Sequence, residues 1–196
     1  MLLKSKFSLI LFLSSFIFLV TNSTFAHCDS MEGPVVKASQ KSLQTGNINY
    51  VLVWVRGEDE LEIKALFDKV NKVRTFSPEA KKLADMYFFE TVVRVHRMGE
   101  GVGYTGLKPA GFKPDEGIEA ADVAIEKNSV ENILAHLDKK YHSKVNDLFN
   151  HLQLKKNYDV NDVKAGREYV EAYVHFIHYV EELFNGEKNT IKEHKH

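Results

Sequence analysis

Two adjacent residues near the start of the chain, His27 and Cys28, carry the side chains best suited to binding a transition metal. Imidazole and thiolate are preferred ligands of nickel, copper and zinc, whereas hard cations prefer oxygen. A chain that began at His27 would add its α-amine and the Cys28 amide nitrogen, so that two residues could supply four donors in small chelate rings. The alternative is a frayed terminus without metal, which is common at chain ends.

Cys28 is the single cysteine of the chain, so a disulfide within the chain is excluded. In an oxidising compartment a lone thiol is expected to be buried, to bind a metal or to pair with a second chain. A position this close to a possible chain terminus argues against deep burial in a core. The sequence therefore favours a metal ligand, and an intermolecular disulfide in a homo-oligomer is the alternative.

The segment before His27 has the order of a secretory signal peptide. Lys4 and Lys6 form a short positive region, an apolar run over 9–20 follows, and small residues precede a cleavage position after Ala26. We predict that residues 1–26 are a signal peptide and that the protein is periplasmic or secreted. An uncleaved membrane anchor is the alternative, although the apolar run is shorter than the ~20 residues of a membrane span.

The remaining chain, residues 27–196, is the length of a single domain. Loss of Lys4 and Lys6 would take the formal net charge from −1 to −3, so nothing in the charge balance indicates a nucleic-acid partner. After processing, no membrane partner is expected either.

Helical patterns dominate the sequence, and no segment has the alternation typical of a strand. Ser77-Pro78 has the residue types of a helix start, and Gly99 is placed to end that helix near Met98. A second long helix is predicted from about Val160 to Asn185. Between them, residues 99–115 hold five of the eleven glycines and two of the four prolines, which predicts a long loop. The predicted fold class is all-α.

The two sides of this loop resemble each other when the chain is shifted by 82 residues. Residues 34–98 then align with 116–180, and the apolar positions, one turn and one histidine coincide. The clearest matches are Leu66-Phe67 with Leu148-Phe149, Tyr87 with Tyr169, and His96 with His178. We predict two tandem similar halves that pack as a pseudo-twofold antiparallel helical bundle.

The long helices carry a second group of candidate metal ligands. Glu90 lies in an apolar run, where a carboxylate needs a partner. It is interpreted either as a metal ligand or supporting carboxylate beside His96, or as one half of an ion pair with Arg94 within the helix. The alignment pairs His96 with His178, which would place both imidazoles at related positions. A polar stripe on the second long helix contains Glu171, His175, His178 and Glu182; a solvated helix face is its alternative interpretation.

His27-Cys28-Asp29, followed by Gly33, resembles the mature N-terminal hook of nickel superoxide dismutase, which reads His-Cys-Asp-x-x-Cys-Gly. The resemblance implies that His27 supplies amine and imidazole and that Cys28 supplies amide nitrogen and thiolate. Glu32 stands where that hook has its second cysteine, so a carboxylate would replace a thiolate. The implied cofactor is nickel or copper in preference to zinc, and the implied chemistry is redox conversion of a small oxygen species.

Over its whole length the chain also resembles an uncharacterised family of secreted helical bacterial proteins. We therefore predict a secreted or periplasmic metal-binding helical protein that is either a redox enzyme similar to nickel superoxide dismutase or a non-catalytic metal carrier or sensor. A helical interaction module without metal is the third hypothesis. The predicted metal ligands are His27, Cys28, Glu32, Glu90, His96, Glu171 and His178.

Overall fold

The structure is a computed structural model that describes the main chain over residues 27–193 and the side chains over 27–186. The predicted signal peptide, residues 1–26, lies outside the described residues. Within them the chain is all-helical, as predicted, apart from one isolated parallel bridge between Ser30 and Lys108. No helix of this described part is long and apolar enough to cross a membrane.

Eight α-helices follow one another along the described chain, together with two short 3-10 turns at Gly57–Asp59 and Lys139–Tyr141. Their bounds are α1 Pro34–Thr45, α2 Asn49–Leu52, α3 Glu60–Val73, α4 Pro78–Gly99, α5 Glu116–Lys127, α6 Glu131–His136, α7 His142–Lys155 and α8 Val163–Glu193.

The first long helix, α4, begins as its sequence indicated. Ser77 is the N-cap, and its hydroxyl accepts a hydrogen bond from the Ala80 amide at 3.0 Å, while Pro78 occupies the first helical position. The second long helix departs from the prediction, since α8 starts at Val163 and continues through Gly186 to Glu193. A single glycine costs a helix only about 1 kcal/mol relative to alanine, which the surrounding turns can offset.

Helix bounds in the second half follow those of the first at a nearly constant spacing. α1 and α5 begin 82 residues apart, as do α3 and α7 and the two 3-10 turns. The caps of α1 and α5, Gly46 and Asn128, both have left-handed backbone conformations, with φ of 73° and 54°. Packing follows the same order, because α1 and α3 contact α4 whereas α5 and α7 contact α8.

Each half has its own hydrophobic core. The first is formed by α1 to α4 around Phe88 and Ile63, and the second by α5 to α8 around Phe176 and Ile133. Trp54, the single tryptophan of the chain, packs against both cores. The junction of the two halves is thus marked by this one large aromatic side chain.

Candidate functional site

The segment 27–33 is folded onto the helical body by main-chain hydrogen bonds. The Lys108 amide donates to the Asp29 carbonyl at 2.8 Å, and the Met31 amide donates to the Lys108 carbonyl at 3.0 Å. Within the segment, the Gly33 amide donates to the Ser30 carbonyl at 2.9 Å. A Cβ at Gly33 would overlap the His27 carbonyl oxygen, so this tight turn requires glycine. In the structure, residues 27–33 are therefore packed against the helical body.

His27 is held by two helices of the second half. Its Nε2 lies 2.8 Å from Oδ2 of Asp122 on α5. Tyr173 on α8 donates its hydroxyl to the other oxygen, Asp122 Oδ1, at 3.1 Å. Burial, and then the Asp122 carboxylate, raise the pKa of Tyr173 well above its ordinary value, so the phenol remains a donor. In a neutral imidazole that donates from Nε2 to Asp122, the lone pair of Nδ1 is available for a ligand.

Cys28 packs against the core of the first half. Burial of its thiol raises the pKa, and the negative charge of Glu100 raises it further. Arg97 opposes this rise, and Asp29 and Asp122 add smaller increases. The residue as a whole keeps partial solvent exposure. The thiol is therefore protonated at neutral pH in the metal-free protein, which makes it a weak nucleophile.

A buried charge cluster lies next to Cys28. Asp29 and Arg97 are 2 % and 3 % exposed, and Arg97 Nε lies 3.3 Å from Asp29 Oδ1. Arg97 also binds Glu100, with Nη1 3.0 Å from Oε2. Burial raises the pKa of Asp29 in spite of the nearby arginine. This cluster ties the N-terminal segment to the end of α4.

His96 belongs to the same cluster. It is 4 % exposed, its Nδ1 lies 2.8 Å from the Trp54 carbonyl, and its Nε2 lies 3.4 Å from Glu100 Oε1. Trp54 in turn makes edge contacts with the rings of both His96 and Tyr173. An unbroken set of contacts therefore links His27 and Tyr173 to His96 through Trp54, across the junction of the two cores.

The other predicted ligands lie in different surroundings. Glu32 is exposed, and its Oε2 accepts a hydrogen bond from the Gly111 amide at 3.1 Å. Glu90 on α4 and Glu171 on α8 are also exposed, so Glu90 does not need the buried partner that its sequence context suggested. His178 is partly buried and lies 3.2 Å from Glu181 Oε2 through its Nδ1.

The predicted partner of Glu90 has a different contact in the structure. Arg94 lies 3.1 Å from Glu62 on α3. Throughout the described part of the chain, no three side chains of His, Cys, Asp or Glu come together in an arrangement that could hold a metal ion.

Sequence reasoning missed Asp122 and Tyr173 as partners of His27. They lie about a hundred residues or more further along the chain, and neither belongs to a recognisable motif. Asp122 follows the buried Ala121 on α5. Because this helix carries several other charged residues, nothing in the local sequence marks Asp122 as the partner of His27.

The fold and the site define an all-α protein in which a His-Cys segment is pinned over the junction of two helical cores. By sequence the chain belongs to a family of unknown function, DUF6448, whose model matches residues 32–179. The matched range begins after His27 and Cys28. No curated protein and no solved structure matches the chain significantly.

Proposed function

We propose that the protein is exported, is processed between Ala26 and His27, and binds one transition-metal ion through His27 and Cys28. The observation that carries this proposal is the 2.8 Å contact between His27 Nε2 and Asp122 Oδ2. Metal-binding histidines almost always donate their second ring nitrogen to a carboxylate, a carbonyl or water, which fixes the ring and raises its basicity.

The proposed donors are two side chains and two main-chain nitrogens from adjacent residues. Because Nε2 faces Asp122, the imidazole would bind through Nδ1 and close a six-membered chelate ring with the α-amine of His27. Cys28 would add its thiolate and its deprotonated amide nitrogen. This set does not require a third acidic or imidazole side chain, and Glu32 would have to leave the Gly111 amide before it could join.

Three carboxylates around Cys28 favour a cation at this point, while the nearby Arg97 opposes it. Glu100, Asp29 and Asp122 all raise the pKa of the thiol, because each of these carboxylates disfavours a second negative charge nearby. The same three carboxylates stabilise a divalent ion that replaces the thiol proton. Binding would then release protons, and metal affinity should fall as the pH falls.

The donor set supports nickel or copper in preference to zinc, since both ions can displace an amide proton and both bind thiolate and imidazole. Either ion could change its oxidation state with such ligands, as a redox enzyme acting on a small oxygen species would require. A non-catalytic carrier or sensor would use the same ligands. An interaction module joined by a Cys28 disulfide is less well supported, because the buried, protonated thiol would oxidise slowly.

We also infer that the fold arose by tandem duplication, with halves related by a pseudo-twofold axis in an antiparallel bundle. The repeated helix bounds, the two left-handed caps and the two separate cores support this inference. On this view the metal segment of the first half is completed by α5 and α8 of the second, which supply Asp122 and Tyr173.

The test is a titration of the chain that starts at His27 and is truncated after Glu193, so that His194 and His196 cannot bind metal. Cu(II), Ni(II) and Zn(II) would be followed by native mass spectrometry and by Trp54 fluorescence, since Trp54 contacts Tyr173 beside His27. We expect one tightly bound Cu(II) or Ni(II) ion that quenches this fluorescence.

The matched controls are the same chain with Ala26 retained, which lacks the α-amine at His27, and Cys28→Ser. Both should lose the tight site. Equal binding in all three proteins would refute the proposal. A processed protein that binds no metal but forms disulfide-linked dimers would favour the interaction module.

A further inference from the structure

A cavity of about 400 Å³ opens directly beside His27. It lies between the N-terminal segment, the loop that follows α4, and the start of α5. Its volume falls in the ~300–1,000 Å³ range of small-molecule sites. The lining side chains used below are His27, Lys108, Phe112, Lys113, Asp115 and Ile118.

The walls of this cavity are held in place before any ligand arrives. Lys108 is tied to the N-terminal segment by the two main-chain hydrogen bonds to Asp29 and Met31. Three residues further on, the Gly111 amide donates to Glu32 at 3.1 Å. The loop is therefore fixed on both sides of Pro109, and a ligand would enter a preformed site at a small ordering cost.

The chemistry of the lining is mixed, with an apolar surface and an excess of positive charge. Ile118, which is 2 % exposed, and the half-buried Phe112 both line the cavity. The lining includes two lysines, Lys108 and Lys113, and one carboxylate, that of Asp115. Lys108 also donates to the Thr105 hydroxyl at 3.1 Å, which keeps its side chain near the loop.

We propose that this cavity binds a small organic anion whose apolar body packs on Phe112 and Ile118 and whose negative group lies between Lys108 and Lys113. The cavity adjoins the proposed metal site through His27, but none of the four residues that would bind the anion is a proposed metal ligand. If His27 does bind an ion, a ligand in this cavity would lie next to it.

The probes are benzoate, which has a ring and one negative charge, and benzamide, its neutral counterpart of the same shape. Binding to the metal-free Cys28→Ser chain starting at His27 would be measured by amide chemical shifts in NMR. We expect saturable benzoate binding with shifts at Gly111, Phe112 and Lys113, and at least fivefold weaker binding of benzamide.

Replacing Lys108 or Lys113 with Gln should weaken benzoate binding about two- to fivefold each, as expected for partly solvated charge pairs, and added salt should reduce the difference. Lys41→Gln, at an exposed position on α1, is the matched control and should have no effect. Phe112→Ala should weaken both probes. The proposal would be overturned by equal affinity for benzoate and benzamide, by NMR shifts that do not saturate, or by an equal loss of benzoate affinity in the Lys41 variant. Circular dichroism of each variant checks that it is folded.

Discussion

Replacing Gly117 with Ala should destabilise the protein and loosen the site at His27. Gly117 lies where α5 crosses α8, and a Cβ there would be 2.7 Å from the Glu181 Cα and 3.1 Å from the Val180 carbonyl oxygen. Carbon atoms in contact lie about 3.5–4.0 Å apart, so α5 would have to move by roughly 1 Å. These two atoms belong to the main chain, and the third close atom, the Phe184 Cβ at 3.1 Å, does not move when its side chain rotates, so no rotation can relieve the overlap.

The size of the effect follows from two opposing contributions. Overpacking a well-packed interface costs about 1–3 kcal/mol, whereas Ala in place of Gly stabilises a helix by at most about 1 kcal/mol. We expect the free energy of unfolding to fall by up to about 2 kcal/mol, the difference between the upper values of these two contributions, because the overlap is with main-chain atoms. The same movement would stretch the 3.1 Å hydrogen bond from Tyr173 to Asp122, so metal binding at His27 should weaken too.

Urea unfolding followed by Trp54 fluorescence measures the stability change. Gly186→Ala is the control on α8, because a Cβ at that glycine meets no atom within 4 Å; it should stabilise the protein by about 0.5–1 kcal/mol. A Gly117→Ala variant as stable as the parent protein would show that α5 and α8 do not approach as closely as described.

Three further predictions concern the site and the chain around it. The native Cys28 thiol has a raised pKa and stays protonated above about pH 9, where the unfolded thiol ionises; stability should fall with rising pH by up to about 1.4 kcal/mol per unit. Urea titrations between pH 8 and 11 should show a shallower decline for Cys28→Ala, and identical slopes would contradict the burial of the thiol. Asp122→Asn should weaken Cu(II) binding in competition titrations at least about tenfold, whereas an unchanged affinity would mean that Asp122 does not orient His27. Asn128→Ala, at φ 54°, should lower stability by about 1 kcal/mol while Asn128→Gly should not; thermal unfolding of the two variants should separate them.

Much of the helical framework could be predicted from the sequence, because helix formation depends on residues a few positions apart. Ser77 and Pro78 start α4 through a cap and a fixed φ, and both act within one turn. The loop over 99–115 follows from its glycines and prolines in the same way. The 82-residue spacing was visible for the same reason, since apolar periodicity specifies where each helix lies along the chain.

The surroundings of the candidate site depended on tertiary packing. His27 and Cys28 were identifiable from their chemistry, but the partners of His27 come from α5 and α8, and no local pattern encodes which side chain meets which across such a distance. For Glu90 the local pattern was misleading. Its neighbours in the sequence are apolar, but its side chain is exposed in the structure.

The helices could be predicted and the partners of the site residues could not, and this difference has a simple physical origin. The sequence by itself determined the helices and their order, and it singled out His27 and Cys28 as candidate metal ligands, because these depend on local sterics and on the chemistry of individual side chains. Only the tertiary structure decided that His27 pairs with Asp122 and that the buried Arg97 pairs with Asp29. Those pairings depend on how two hydrophobic cores dock around Trp54, and docking minimises exposed apolar area over the whole molecule rather than along any one segment.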